Sequence, residues 1–250
     1  MKKMFFLLFS FISVTLTAQE TTLLFKEADN LEFQFKEQDA LNKYKEILIV
    51  EPFNIKALVK ATELSCSVGE RTLNKTDKRI TFESAMAYAQ RAVKADSTSA
   101  DAYCAMAMSC GKLAMVETEN KKMAAFVRDI KHNADKALKL NPNHAMANYI
   151  VGKWNYEISM LNFAKRAAIK TLYGGLPDAS IDSAILYFEK SRSLDPYFML
   201  NTIYLAKAYR ENNKPSKEIE ILMRAVKLPI RRFDDTALKA DAQKRLQELQ

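Results

Sequence analysis

A phrase that returns four times constrains this chain more than any other feature. It reads KYKEILIVEPFNIKAL at 43–58, QRAVKADSTSADAY at 90–103, DKALKLNPNHAMANY at 135–149 and EKSRSLDPYFMLNTIY at 189–204. Each copy is the end of an amphipathic helix, a short break and the start of a second helix. Three of the breaks hold a proline, Pro52, Pro142 and Pro196. Proline has no backbone N–H and its ring clashes with the preceding turn, so it stops a helix rather than continuing it. Recurrence at long spacing predicts stacked helical hairpins, not one globular core. Such arrays bind more often than they catalyse.

Five glycines in 250 residues, with alanine, leucine, lysine and glutamate abundant, are an all-helical composition. Ala28, Ala40, Tyr44 and Pro52 stand where a 34-residue helix–turn–helix template has small residues at the helix contact, an aromatic wedge and a terminating proline. That is the tetratricopeptide pattern. Later units are longer: Pro52 to Ser97 and Ser97 to Pro142 are each 45 residues, and Pro142 to Pro196 is 54. Eleven extra residues return a helix almost to its starting phase, so the insertions can lengthen hairpins without rotating their buried faces. Small residues keep the register at Ala85, Ala89 and Ala92, and again at Ala134 and Ala137. A last helix at about 234–249 opens on Asp234-Asp235 and carries the stripe Leu238, Ala242, Leu246 and Leu249. The expected fold is all-α, a tetratricopeptide-like superhelical array of about five helix hairpins plus a C-terminal capping helix. It would form a single domain over 19–250.

Lys2 and Lys3, an apolar run from Met4 to Leu16, and Thr17-Ala18 have the order of a secretory signal peptide, cleaved after Ala18. The run is about 13 residues, short of the roughly 20 that span a bilayer. The mature chain is expected to be exported, periplasmic or secreted, with no integral membrane segment. Losing the two lysines lowers the net charge from +8 to +6. The positive charges are scattered among acids, which argues against a nucleic-acid partner. Cys66, Cys104 and Cys110 form no CxxC pair. Cys104 and Cys110 lie roughly 240° apart around one helix and cannot bridge each other. Buried free thiols are expected, with a Cys66–Cys110 bridge as the alternative.

Residues 148–198 resemble the regulator of microtubule dynamics family of tetratricopeptide proteins. The resemblance rests on Gly152-Lys153-Trp154-Asn155-Tyr156-Glu157 and Leu176-Pro177-Asp178-Ala179-Ser180, and extends to Lys131–Pro142 and Ala225–Leu249. Lys153 stands for the family's usual arginine and Asn155 for its cysteine. The resemblance implies the fold and a role in binding or tethering. The secretory signal sets the family's cytoskeletal association aside, because an exported chain does not meet cytosolic microtubules.

The sequence holds no GxSxG, HExxH, P-loop or GxGxxG motif, and His132 and His144 lack partners at metal-ligand spacing. A non-enzymatic chain without cofactors or metals is expected. In tetratricopeptide arrays the inner face is built from the first helix of each hairpin. Here that face includes Met108, Lys112, Met146, Tyr149, Lys153, Trp154, Tyr156, Ile203, Lys207 and Arg210, the candidate binding residues. Trp154 has a structural alternative, bracketed as it is by Gly152 and Tyr156 at a close helix contact. An apolar floor with lysines suits a protein or peptide carrying acids; the competing ligand is an anionic lipid or other amphiphile. Leu161 to Tyr173 reads as an extension of the fourth hairpin, with a membrane-surface helix as the alternative. For the leader, the intact mass of the exported chain should begin at Gln19; a mass that retains residues 1–18 refutes cleavage.

Overall fold

The computed structural model describes residues 20–162 and 178–249, with Ala167 and Thr171 between them. The signal segment and most of the Leu161–Tyr173 stretch lie outside the described residues. The chain packs as two compact units that divide between Ser97 and Thr98.

The first unit holds α1 (20–33), α2 (Glu37–Val50), α3 (Ile55–Arg71) and α4 (Lys75–Ala95). In the second are α5 (Ala100–Val116), α6 (Asn120–Leu140), α7 (Ala145–Ser159), α8 (Ile181–Leu194), α9 (Met199–Glu211), α10 (Pro215–Ala225) and α11 (Asp235–Glu248). Within the units, α3 packs on α4, α5 on α6, α7 on α8 and α9 on α10. The first hairpin is tied by Tyr44, whose hydroxyl on α2 donates to Asp29 (2.9 Å) and Glu32 (2.6 Å) on α1. These five hairpins and the covering helix are the tetratricopeptide-like arrangement expected.

The repeated phrase is a repeated turn. Glu51, Asn141 and Asp195 each donate a backbone N–H back to the helix they leave, to Ile47, Ala137 and Ser191. Three residues on, Asn54, His144 and Phe198 donate to the carbonyls of those same turn residues. Side chains cap the helices that follow: Asn54 accepts from Ala57 N–H, and His144 Nδ1 from Ala147 N–H. At other starts Asn74, Ser99 and Ser180 cap in the same way. Each such cap satisfies backbone donors that the helix itself cannot.

The lengthening of the second and third hairpins falls where expected, and that of the fourth lies outside the described residues. α3 and α5 have 17 residues and α4 and α6 have 21, against 14 in α2 and α8. α4 still buries a single stripe, Phe82, Ala85, Ala89 and Ala92. The three thiols are buried and unbridged. Burial pushes the Cys110 thiol up to about 12, with the Asp129 charge adding to the shift, which leaves it a packing residue.

α11 closes the second unit on α9 and α10. Its main tie is Glu218 of α10, a buried carboxylate that accepts from Arg245 Nε at 2.9 Å. The expected acid at its start, Asp235, is buried instead of lying open at the helix end. Its Oδ2 accepts from the N–H groups of Arg231 and Arg232 at 2.9 Å each.

Two glycines set how closely hairpin partners approach. A Cβ on Gly152 of α7 would sit 2.7 Å from the Phe188 ring of α8, and one on Gly69 of α3 would sit 2.4 Å from Phe82 of α4. Gly111 differs, since its Cβ would meet only Ile130 Cδ1 at 3.9 Å. Gly152→Ala should therefore destabilise by about 1–2 kcal/mol, the overpacking cost exceeding the helix-propensity gain. Gly111→Ala should stabilise by roughly 0.5–1 kcal/mol. Urea unfolding of the two variants checks the opposite signs; equal shifts would contradict the close approach.

Candidate functional site

A cluster of aromatic rings joins α7, α8 and α9 around two tyrosines. Tyr149 lies at the bottom, buried, with its ring 4.9 Å from Phe198, 5.9 Å from Tyr204 and 6.1 Å from Phe188. Tyr204 sits above it and meets Phe188 at 6.0 Å and Tyr156 edge-on at 5.9 Å. Edge-to-face contacts at these distances are the favoured aromatic geometry. Two ammonium groups lie over the Tyr204 ring, Lys153 Nζ at 5.2 Å and Lys207 Nζ at 5.0 Å. Each such cation–ring contact contributes about 0.5–1 kcal/mol at an exposed site.

The charges on this face are unevenly paired. Lys153 donates to Glu157 at 2.6 Å, one turn along α7, and Arg210 Nε reaches Glu211 at 3.2 Å. Lys207 is exposed, and no carboxylate among the described residues pairs with it. Burial opposes the charge of Lys153, but Tyr204 and Glu157 outweigh it and hold its pKa above the ordinary lysine value. The Tyr156 hydroxyl is raised by burial and by Glu211, against the pull of Arg210.

Of the ten residues anticipated for this face, the structure gathers Lys153, Tyr156 and Lys207 around Tyr204, with Arg210 beside Tyr156. Met108 and Lys112 on α5 and Met146 on α7 are half-buried. Tyr149 and Ile203 are packed beneath, 5% and 6% exposed. Trp154 turns the other way: its indole N–H donates to Val127 of α6 at 3.0 Å, and Lys131 Nζ lies 5.6 Å from its ring. It therefore holds α7 to α6. Tyr204 was not anticipated; its signal is the stripe Leu200, Tyr204 and Lys207, which shares a helical face at four- and three-residue spacing. His144, which has no partner at metal-ligand spacing in the sequence, links α7 to α5 through Nε2 and Asp101 at 2.9 Å. With Nδ1 accepting the Ala147 N–H, the proton of the neutral ring sits on Nε2. That bond holds the Asp101 carboxyl below its usual range, against a smaller effect of burial.

The corresponding face of the first unit is neutralised internally. Glu32 pairs with Lys60 at 2.9 Å, Glu63 with Lys60 at 3.6 Å and Asp29 with Lys56 at 3.6 Å. The Tyr44 hydroxyl is pushed well above the tyrosine range, by burial and by Glu32 and Asp29. Among the described residues no cluster of histidine, cysteine, aspartate and glutamate could hold a metal ion, and no helix is long and apolar enough to cross a membrane.

The sequence model of the family described as Regulator of microtubule dynamics protein 1-3 matches residues 24–250. Among curated relatives, mouse (Mus musculus) regulator of microtubule dynamics protein 3 is 30% identical over 154 residues, 61% of this chain and 33% of that protein. Mouse regulator of microtubule dynamics protein 1 is 28% identical over 168 residues, 66% of this chain and 54% of that protein. The chain thus spans about a third to a half of these relatives. Among solved structures, a thermophilic TPR protein of Thermus thermophilus superposes with a TM-score of 0.64 at 13% identity, covering 90% of this chain and 99% of that one. At that identity the likeness establishes the fold alone.

Lys153 supplies the pH test of the cluster. Its folded pKa lies above the ordinary 10.5, so its contribution to stability is fully present below about pH 10 and is lost as pH rises through the folded value. Tyr204→Phe and Glu157→Gln should each lower that pKa, read by NMR titration of the lysine side chain. An unchanged value in both variants would contradict the arrangement.

Proposed function

The chain belongs to the regulator of microtubule dynamics family, and from that premise we propose that it is an exported, non-enzymatic helical-repeat protein that binds a partner protein or peptide. The binding face is the one α7 and α9 share. Support comes first from Tyr204, with Lys153 at 5.2 Å and Lys207 at 5.0 Å over one ring and Arg210 on the same helix as Lys207. Three cations and two carboxylates on a half-buried aromatic floor favour a segment whose acidic side chains alternate with apolar ones. Its carboxylates would take charge-assisted hydrogen bonds from the ammonium and guanidinium groups. Its apolar side chains would cover Tyr156 and Tyr204.

The relatives are named as regulators of microtubule dynamics. An exported chain does not meet cytosolic microtubules, so the binding fold is carried over and the cytoskeletal role is not. Export itself rests on the order of residues 1–18.

Titration of a fluorescent peptide of alternating glutamate and leucine against residues 19–250 tests this reading. Lys207→Gln with Arg210→Gln should weaken binding roughly tenfold or more, each lost charged hydrogen bond contributing about 1–2 kcal/mol. Both side chains are exposed, so the fold should survive. Undiminished affinity in that variant, or no binding by the parent chain, would overturn it. An adduct of lipid mass in native mass spectrometry, lost with Lys153→Ala and Tyr156→Ala, would point instead to an anionic amphiphile.

A further inference from the structure

The link between α10 and α11, residues 226–234, is longer than the turns at the repeated breaks and has no part in the proposed function. Its inner side is clamped. Leu228 is buried, and Lys239 Nζ donates to the Leu228 carbonyl at 2.8 Å. Asp235 takes the N–H groups of Arg231 and Arg232, and Arg232 lies 4.7 Å from the ring of buried Phe198. Arg231 reaches Asp195 at 3.4 Å and lies 5.6 Å from the Tyr197 ring. Arg224 donates to the Pro196 carbonyl at 3.3 Å, which ties α10 to the same α8–α9 turn.

Its outer side is apolar and cationic. Ile230 is 38% exposed, Phe233 49% and Tyr197 51%, and the side chain of Arg231 is 53% exposed. Arg232 and Lys227 are exposed as well. Of the acids nearby, Asp235 is turned inward and Asp195 is paired with Arg231.

We propose that segment 227–233, together with Tyr197, is a docking loop for the surface of an anionic lipid bilayer. Ile230, Phe233 and Tyr197 would enter the interface while Arg231, Arg232 and Lys227 meet lipid phosphates. Apolar and aromatic tips flanked by cations are the composition that binds such interfaces. The clamped backbone presents these side chains with little ordering of the main chain itself. The patch is a short loop and one turn, well below the 20–30 residues a side of a stable protein interface. Shallow insertion of a few side chains needs no such area.

The test is co-sedimentation of residues 19–250, free of the apolar run at 4–16, with vesicles of phosphatidylcholine and phosphatidylglycerol or of phosphatidylcholine alone. The chain should sediment with the anionic vesicles, and less so as salt rises. Arg231→Gln with Arg232→Gln keeps the backbone clasp to Asp235 and should weaken binding roughly fivefold per arginine. Ile230→Ser with Phe233→Ser should abolish most of it, with the helical circular dichroism spectrum of both variants unchanged. No binding to anionic vesicles by the parent chain would overturn the proposal. So would binding undiminished in both variants, which would place the contact elsewhere on the chain.

Discussion

The second unit depends on one close approach, that of Gly152 to Phe188. A helix pair can come this near only where one partner has no side chain, and the space left beside Gly152 is filled by the Phe188 ring. Phe188 then supports Tyr149 and Tyr204, and Tyr204 supports Tyr156 and lies under both lysines. A displacement at the bottom of this stack therefore reaches the charged surface through contacts in series. The first unit repeats the device between Gly69 and Phe82, one stage in a longer hairpin whose stripe of alanines continues the contact. Close-packed interiors transmit such shifts because they have little free volume to absorb them.

The two units use similar materials to different ends. In the first, the tyrosine at the helix contact donates to two carboxylates, and lysines of the next hairpin neutralise those acids. Opposing charges satisfy each other there. In the second, the equivalent aromatic position is Phe188, which has no hydroxyl to engage an acid. The polar chemistry is shifted outward to Tyr204, where Lys207 is left without a carboxylate partner among the described residues. Buried polar groups need internal partners, whereas exposed cations over an aromatic ring remain available to a ligand.

Much of the fold was legible in the sequence because its determinants are local. The breaks at Pro52, Pro142 and Pro196 each produce the same pair of turn hydrogen bonds, and the alanine register survives the lengthened α4 and α6. The site was legible in part. Lys153, Tyr156, Lys207 and Arg210 are polar or amphipathic residues on the first helix of a hairpin, and they emerge on one face as their spacing requires. Tyr149 and Ile203 are also on first helices, yet neighbours bury them, and their burial depends on where α8 and α9 come to rest. Trp154 is one residue from Lys153 and so about 100° around the helix, which turns its indole toward α6. Tyr204 was concealed by its neighbour Ile203, since periodicity alone does not tell which of two adjacent large residues stays at the surface. Asp235 looked like a helix-end acid, and only the fold of the preceding link shows that it is a buried clasp.

The central claim, that Tyr204 and its two lysines form a receptive face and not merely a packed one, is tested most directly by observing the ammonium groups themselves. NMR of the lysine side chains, recorded as an acidic peptide is added, should show Lys153 and Lys207 shifting together and saturating at one concentration. Lys217, paired with Glu220 at 2.8 Å on α10, should stay in place. Shifts of similar size at all three lysines would mean diffuse charge attraction over the surface, and would contradict a site at Tyr204.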